Sequence, residues 1–348
     1  MVASARALWF AAPGRAEVRD AEVRPPGRNE VSVAAVASLI SLGSEMRIYR
    51  GEVPPDQEVR PVTVEGSFRF PIKYGYQVVG RVTEAGQDTG FVIGDLVFCR
   101  HPHQSHFTIP LGHLDPPLVT RLPEFEPLEM AVFSNLLDVA LNAILDVSIH
   151  VGDVVAVFGY GTVGCFCAQL AQLTASRVVV VEPNPLRRQL SLDLGADAAV
   201  PPEDGVEAVM TASKGRGADV SIEASGSPHA LQQAIRSTGM EGTTLVPAWY
   251  GDRAVPLVLS PEFHLGRQRI VSSMTRAINP ELRSRWDLAR RLEVAWELLP
   301  RFYTPKMVSH RVDLEEAPLA YKTAAENPEA VLGVVITYTN AADAAGRE

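Results

Sequence analysis

The stretch that decides the fold is Val154-Val-Ala-Val-Phe-Gly-Tyr-Gly-Thr-Val-Gly164. It opens with five apolar residues that do not alternate with polar ones, a pattern typical of a parallel strand buried on both faces. Three glycines follow at the spacing G-x-G-x-x-G, and residues 165–173 have the pattern of a helix. In such a turn the first glycine allows the tight bend, the second lets a pyrophosphate approach the backbone, and the third lets helix and strand pack closely. The stretch therefore predicts a strand, a phosphate-binding turn and a helix.

An acid at the expected distance extends this motif into a dinucleotide-binding unit. A second apolar run, residues 177–181, ends at Glu182, which follows Gly164 by 18 residues. An acid there bonds the adenosine ribose hydroxyls and would repel a 2′-phosphate, so NAD(H) is predicted and NADP(H) is the less favoured cofactor. A solvated glutamate at a strand end is the alternative, and the neighbouring arginines could accept a 2′-phosphate. The predicted cofactor-binding residues here are Gly159, Gly161, Thr162, Val163, Gly164, Glu182 and Arg187.

Composition bounds the partners of the protein. Its 348 residues are enough for two domains. The net charge of −9 argues against nucleic acid as a partner, because no basic excess is present to neutralise phosphates. Three cysteines cannot build a disulfide framework, so a reducing cytoplasm is expected. Neither a secretory signal nor a run of 18 apolar residues is found, and no membrane partner is expected.

The predicted secondary structure changes near residue 128. The first part is β-rich, whereas strands then alternate with helices, which indicates a doubly wound parallel sheet. Residues 280–299 are predicted to form one long helix. Ligands bind at the carboxyl ends of parallel strands, so residues following the later strands are further candidates for contact with the cofactor, although turn chemistry alone would also explain them. These candidates are Ser225, Gly226, Ala248, Trp249, Tyr250 and Ser272.

Several motifs together resemble the medium-chain dehydrogenase/reductase superfamily, the relatives of zinc alcohol dehydrogenase. Besides the glycine turn, they are Leu42-Gly-Ser-Glu-Met-Arg-Ile-Tyr-Arg-Gly51, Tyr74-Gly-Tyr-Gln-Val-Val-Gly80, Gly94-Asp-Leu-Val97 and Leu194-Gly-Ala-Asp197. The resemblance implies an α/β fold with two domains. A GroES-like β-rich catalytic domain would comprise residues 1–135 and 276–348, and a Rossmann domain with a doubly wound parallel sheet would comprise residues 136–275. It also implies a homodimer.

The chain departs from this superfamily at the positions that hold catalytic zinc. The first cysteine position is Leu42, the Gly-His-Glu motif is replaced by Gly75-Tyr76-Gln77, and the third ligand falls near Asn135. Leucine has no lone pair and a phenol is a poor zinc ligand, so no bound zinc is predicted. The Tyr-Gly-Tyr motif and residues 285–292 are similar to a zinc-lacking group related to bacteriochlorophyllide hydroxyethyl dehydrogenase, a name that does not define the substrate.

A site without a metal needs another group to polarise the substrate oxygen and move its proton. Tyr76 is the predicted acid/base, Ser44 stands at the family's proton-relay position, and Gln77 or Asn135 would orient the substrate. Two structural alternatives are open. Tyr76 could fill the volume that a metal leaves, and Ser44 could cap the following helix.

Four histidines crowd one segment and suggest a second possibility. His101, His103, His106 and His113 could in principle gather a metal, but Pro102 stiffens the run. A loop lining the substrate site, with one histidine as a reserve acid/base, is the preferred interpretation.

Three functions are consistent with these patterns. The first is a zinc-independent, NAD(H)-dependent dehydrogenase that acts on a secondary alcohol or ketone, a small-molecule substrate of specialised metabolism. The second is a reductase of an activated C=C bond of the enone or quinone type, and Glu182 argues against it because such enzymes often use NADPH. The third is a non-catalytic nucleotide-binding protein.

Overall fold

The computed structural model describes residues 3–56, 67–112, 117–123, 126–175 and 177–338. They form two compact units, one of Met1–Ser134 with Tyr303–Glu348 and one of Asn135–Phe302. The first unit thus contains both ends of the chain, and the second is inserted between them.

The first unit is built mainly from strands. Its strands are β1 (Ala3–Ala12), β2 (Arg15–Val23), β3 (Glu30–Ile40), β4 (Val78–Ala85), β5 (Leu96–Cys99), β6 (His106–Pro110), β7 (Val119–Arg121), β14 (His310–Asp313) and β15 (Val334–Thr337). Its helices are α1 (Ser44–Tyr49) and α9 (Ala317–Glu326). Within the described residues, β1 and β2 form a two-stranded sheet, and β14-β15-β3-β4-β5-β7 form a larger sheet in which β6 pairs with β3. Because β15 pairs with β3, the C-terminal segment completes the N-terminal sheet.

The second unit alternates strands and helices. Its strands are β8 (Val154–Phe158), β9 (Arg177–Val181), β10 (Ala198–Val200), β11 (Ala218–Glu223), β12 (Thr238–Val246) and β13 (Arg269–Ser272). Its helices are α2 (Ser134–Leu145), α3 (Thr162–Ala171), α4 (Pro185–Asp193), α5 (Gly205–Ala212), α6 (Pro228–Ser237), α7 (Glu262–Leu265) and α8 (Leu288–Phe302). Short 3-10 turns connect several elements of both units.

The sheet of the second unit has the order β10-β9-β8-β11-β12-β13, and each neighbouring pair is parallel. The chain runs outward from β8 in one direction and then returns to continue from β11 in the other. The point between β8 and β11 is therefore a topological switch point, where such sheets bind ligands. Every residue of β8 is buried, which fits the continuous apolar run in the sequence. The predicted α/β fold, with a β-rich domain and a doubly wound parallel sheet, is confirmed.

Two sequence-based boundaries are wrong at the C-terminal end of the second unit. The unit ends at Phe302 rather than at residue 275, and the predicted helix over 280–299 is a 3-10 turn followed by α8. The reason is a long-range contact, because Arg291 of α8 is buried and bonded to Asp138 of α2. This pair keeps α8 within the second unit.

One stretch, Leu128–Leu145, has the length and apolar composition that would allow a helix to cross a membrane. It combines a 3-10 turn with α2, and 67% of it is buried inside the protein. Such burial is typical of a core helix, so the stretch is weak evidence for a membrane span.

Candidate functional site

Each glycine of the turn after β8 has a distinct geometric role. Gly159 has a φ of +91°, and a Cβ there would lie 2.6 Å from the Cβ of Ser225. A Cβ on Gly164 would lie 2.0 Å from the carbonyl oxygen of Gly159, so helix and strand pack too closely for any side chain. By contrast, a Cβ on Gly161 would have nothing within 4 Å. Gly161 is the N-cap residue of α3, and no side-chain hydrogen bond caps this helix. The amino end of a helix attracts anions, which suits an anion-binding turn.

This contrast predicts different outcomes for two alanine substitutions. Gly164→Ala should destabilise the protein by about 1–3 kcal/mol, because the new methyl group collides with the Gly159 carbonyl. Gly161→Ala should leave the melting temperature nearly unchanged and weaken NADH binding, because its methyl group enters the space proposed for pyrophosphate. Thermal unfolding and NADH titration of both variants measure this. Wild-type NADH affinity in Gly161→Ala would contradict the assigned role of the turn.

The Glu182 carboxylate is held by two backbone amides, one after β8 and one after β9. It is 3% exposed, its Oε2 accepts from the Tyr160 amide at 2.6 Å, and its Oε1 accepts from the Asn184 amide at 2.9 Å. A carboxylate has about four lone-pair sites, so these two bonds leave capacity for ribose hydroxyls. The open glycine turn and the oriented acid together fit the adenosine diphosphate half of a dinucleotide.

A second buried acid, Glu223, organises the loops after β11 and β12, and the sequence analysis missed it. Its carboxylate accepts hydrogen bonds from the amides of Ser225 and Gly226 and from the Ser225 hydroxyl. It also accepts from the Tyr250 hydroxyl at 2.7 Å. The Tyr250 hydroxyl is thus engaged within the protein. The signal was available, because Glu223 is the last residue of β11 and Glu182 directly follows β9.

The remaining predicted cofactor residues lie at helix starts and strand ends of the same unit. Thr162 and Val163 begin α3, and Arg187 lies in the first turn of α4. Ala248 and Trp249 follow β12, with Trp249 40% exposed, and Ser272 ends β13. All of them stay predictions as ligand contacts.

Tyr76 in the first unit has a bonded hydroxyl with a raised pKa. Its Oη donates to the Ser41 hydroxyl oxygen at 2.6 Å. Burial, and next the charge of Glu45, raise the pKa of Tyr76 to about 12, although its bonds to Ser41 and Ser44 oppose the shift. The phenol is therefore protonated at neutral pH. It can donate a hydrogen bond to an oxygen, whereas a phenolate base is disfavoured.

The other predicted catalytic residues have different surroundings. Ser44 is the first residue of α1, and Gly43 occupies the N-cap without a side-chain bond, so the capping alternative for Ser44 is wrong. Gln77 is fully buried and its Nε2 donates to the Leu39 carbonyl at 3.4 Å, which places it against β3 rather than on an open surface. Asn135 lies in the second unit near the start of α2, half-buried. Its role in substrate orientation stays a prediction.

A buried polar network that the sequence analysis missed is connected to Tyr76 through Ser41. Glu45 and His103 are both fully buried, and His103 Nε2 lies 3.0 Å from Glu45 Oε2. His103 Nδ1 bonds the Ser38 hydroxyl at 2.7 Å, and Tyr321 donates to Glu45. Glu45 Oε1 also accepts from the backbone amide of Ser41 at 3.1 Å. The network therefore fixes the segment that supplies the hydrogen-bond partner of Tyr76.

The described histidines of this segment have separate partners. His101 stacks on Phe107 with ring centroids 3.7 Å apart, and burial lowers the pKa of His101 to about 3. His106 lies 3.3 Å from the Ser105 hydroxyl, and burial lowers its pKa as well. His113 lies outside the described residues. His101 is thus neutral at neutral pH, which leaves it a poor general acid.

The zinc positions of the resembled superfamily do not supply a zinc-binding set. Leu42 has no donor atom, and the Tyr76 phenol keeps its proton. Among the residues that the structure describes, no three His, Cys, Asp or Glu side chains are grouped to hold a metal ion. The residues at these positions therefore do not fit a tetrahedral zinc site.

Known dehydrogenases are similar to this chain in sequence. Residues 162–291 match the profile of the zinc-binding dehydrogenase family, a range that includes none of positions 42, 76, 77 and 135. The chain is 28% identical over 350 residues to D-guloside 3-dehydrogenase of Shigella flexneri, covering 95% of this chain and 99% of that protein. It is 30% identical over 232 residues to (R,R)-butanediol dehydrogenase of Bacillus subtilis, covering 59% of this chain and 66% of that protein.

Solved structures share the fold. An oxidoreductase/dehydrogenase of unknown specificity from Escherichia coli superposes with a TM-score of 0.80 at 18% identity, covering 97% of this chain and 100% of that one. The 2R,3R-butanediol dehydrogenase from Bacillus subtilis gives a TM-score of 0.77 at 20% identity, covering 97% of this chain and 100% of that one.

The fold and the glycine turn are shared with the dehydrogenases to which this chain is similar. The comparisons support a place for this chain in the zinc-binding dehydrogenase, or medium-chain dehydrogenase/reductase, family.

Proposed function

We propose that this protein is an NAD(H)-dependent dehydrogenase that interconverts a secondary alcohol and a ketone without catalytic zinc. The observation that carries the proposal is the replacement of a zinc-ligand position by Tyr76, whose phenol is protonated and bonded to Ser41. A group that can donate a hydrogen bond thus occupies a position from which zinc would polarise the substrate oxygen.

The second unit would hold the cofactor. Gly161 and the first amides of α3 would receive the pyrophosphate, and Glu182 would bond the ribose hydroxyls. When bound, the nicotinamide supplies or accepts the hydride. NAD(H) is favoured because the buried carboxylate of Glu182 would repel a 2′-phosphate. Arg188 Nη1 donates to the carbonyls of Glu182 and Pro183 at 2.8 and 2.7 Å, so this part of its guanidinium is already engaged within the protein.

The first unit would act on the substrate oxygen. Tyr76 would exchange its bond to Ser41 for a bond to the substrate, stabilising the negative charge that develops on a ketone oxygen as hydride arrives. Ser41 and Ser44, both hydrogen-bonded to the phenol, would relay a proton from water to the phenolate. In the alcohol-forming direction the phenol proton ends on the substrate oxygen, and the hydride ends on carbon.

The names of relatives support a hydroxyl-bearing substrate. Three of them are dehydrogenases named for D-guloside, (R,R)-butanediol and L-threonine. We propose a polar small molecule with a secondary hydroxyl group, used in specialised metabolism.

The proposal is tested by steady-state kinetics of the purified protein. NADH and NADPH are each offered with a panel of ketones and with a matched panel of enones, and oxidation of the cofactor is followed by absorbance. We expect turnover with NADH and a ketone, weaker use of NADPH, and no preference for enones. Turnover of enones alone would favour C=C reduction, and binding of NADH without any turnover would favour a non-catalytic protein.

We also propose a homodimer, formed through the free edge of the parallel sheet. The edge strand β13 exposes Ile270 at 39%, and the nearby Met240 and Leu265 are 70% and 67% exposed. An exposed apolar edge strand is a ready surface for pairing. Sedimentation should therefore show a dimer for wild type and a monomer for Ile270→Glu. Leu192→Glu is the control that should stay dimeric, because Leu192 is 41% exposed and lies on α4, which packs against β9 and β10 at the opposite end of the sheet. A monomeric wild type would contradict the proposal.

A further inference from the structure

The largest fully buried side chain of the second unit is that of an arginine that the proposed chemistry does not use. Arg291 of α8 is 1% exposed and makes a two-point ion pair with Asp138 of α2, with Nε to Oδ1 at 2.7 Å and Nη2 to Oδ2 at 2.9 Å. Its Nη1 also donates to the Asn142 side-chain oxygen. Removing two charges from water costs more than their attraction often returns, and apolar pairs of similar volume are frequently as stable. Stability alone therefore does not explain this pair.

The contacts of the pair lead to one loop at the end of β13. Arg291 Nη2 donates to the carbonyl oxygen of Thr275 at 3.0 Å. The side-chain nitrogen of Asn142, Nδ2, donates to the Ser273 hydroxyl oxygen at 3.0 Å. One bond from Arg291 and one from Asn142 thus attach residues 273–275 to α8 and α2. We call these residues the β13 loop.

The β13 loop lies at the carboxyl edge of the second half of the sheet. A doubly wound sheet binds one nucleotide over each half, on either side of the switch point. The glycine turn and Glu182 belong to the half formed by β8, β9 and β10. The half formed by β11, β12 and β13 is then left for the nicotinamide nucleotide, and the β13 loop lies at its carboxyl end.

We propose that Arg291, together with Asp138 and Asn142, is a positioning group that fixes the β13 loop for the nicotinamide half of the cofactor. It does not touch the cofactor. This inference rests on the proposed NAD(H) dependence. It adds that Arg291 affects binding of the nicotinamide half alone, because the glycine turn and Glu182 would bind the adenosine half without any contribution from Arg291. The ion pair is retained because its directional donors set the loop position, which an apolar pair cannot do.

The test compares two ligands that differ only in the nicotinamide. Calorimetric titrations with NADH and with ADP-ribose are run on wild type, Arg291→Met, and the double variant Asp138→Leu/Arg291→Met, which replaces the pair by apolar side chains and so avoids an unpaired buried charge. We expect NADH to bind about tenfold more weakly to the double variant, while ADP-ribose affinity changes by less than about twofold. The fluorescence enhancement of bound NADH should fall in parallel. Arg291→Lys should recover part of both signals, because it restores a cationic donor.

Gln268→Met is the matched control. Gln268 is a buried polar residue that directly precedes β13, at the amino end of the strand, and its side chain donates to the Thr238 carbonyl. The Gln268→Met variant should leave the ratio of NADH to ADP-ribose affinity unchanged. Equal weakening of both ligands in the double variant, or no weakening of either, would overturn the positioning role while leaving the proposed function intact. Failure of wild type to bind NADH would overturn both.

Discussion

Replacing Tyr76 by phenylalanine should lower kcat for ketone reduction by about 100-fold and leave KM nearly unchanged. The phenol would strengthen its hydrogen bond only as charge develops on the substrate oxygen, so its loss should affect the transition state more than substrate binding. Initial rates over a range of ketone concentrations at saturating NADH measure both constants.

Tyr74→Phe is the matched control. Tyr74 is a buried tyrosine whose ring packs edge-on against that of Tyr76 at 5.9 Å, and its position corresponds to no metal ligand. Its variant should keep wild-type kcat. If Tyr76→Phe also kept wild-type kcat, Tyr76 would be a packing residue and the proposed mechanism would be wrong.

The raised pKa of Tyr76 gives this mechanism a defined pH dependence. Burial and the nearby charge of Glu45 raise the pKa to about 12, so the phenol keeps its proton throughout the neutral range. Ionisation of Tyr76 should therefore not lower the rate of ketone reduction between about pH 6 and 9. A loss of rate in this range that disappears in Tyr76→Phe would contradict the protonated state.

Replacing Glu182 by alanine should weaken NADH binding by about 10- to 100-fold and reduce the preference for NADH over NADPH. Two effects combine here. The ribose loses its acceptor and the 2′-phosphate loses a repelling charge, while the amides of Tyr160 and Asn184 lose the carboxylate that holds them. Titration of both cofactors by fluorescence measures the change.

Asp197→Asn is the control for the backbone effect. The carboxylate of Asp197 also accepts from a backbone amide of this sheet, that of Val178 at 2.7 Å, at the amino end of β9. It should leave the cofactor preference unaltered. An unchanged ratio of NADH to NADPH affinity in Glu182→Ala would remove Glu182 from the cofactor site.

The parts of the fold that depend on local sequence could be predicted. The unbroken apolar run at 154–158 is a fully buried strand, and the glycine spacing that follows it places Gly164 against the Gly159 carbonyl. Such features follow from side-chain periodicity and backbone sterics within about 20 residues. For the same reason the sequence predicts β9, the strand that Glu182 directly follows.

The parts that depend on distant partners could not be predicted. His103 meets Glu45 across 58 residues, and Arg291 meets Asp138 across 153 residues. Periodicity carries no information about such pairs. The four-histidine run therefore suggested a shared role, whereas the structure gives His103 and His101 separate partners. The misplaced end of the second unit has the same origin, because α8 is held there by Arg291.

The most direct test of metal-free hydride transfer measures metal content and turnover on one preparation. Zinc is determined by elemental analysis before and after dialysis against a chelator, and NADH-dependent reduction of the best ketone is measured on the same samples. We predict far less than one zinc ion per chain and a rate that chelation does not change. One zinc per chain, with a rate that rises and falls with zinc content, would contradict the account.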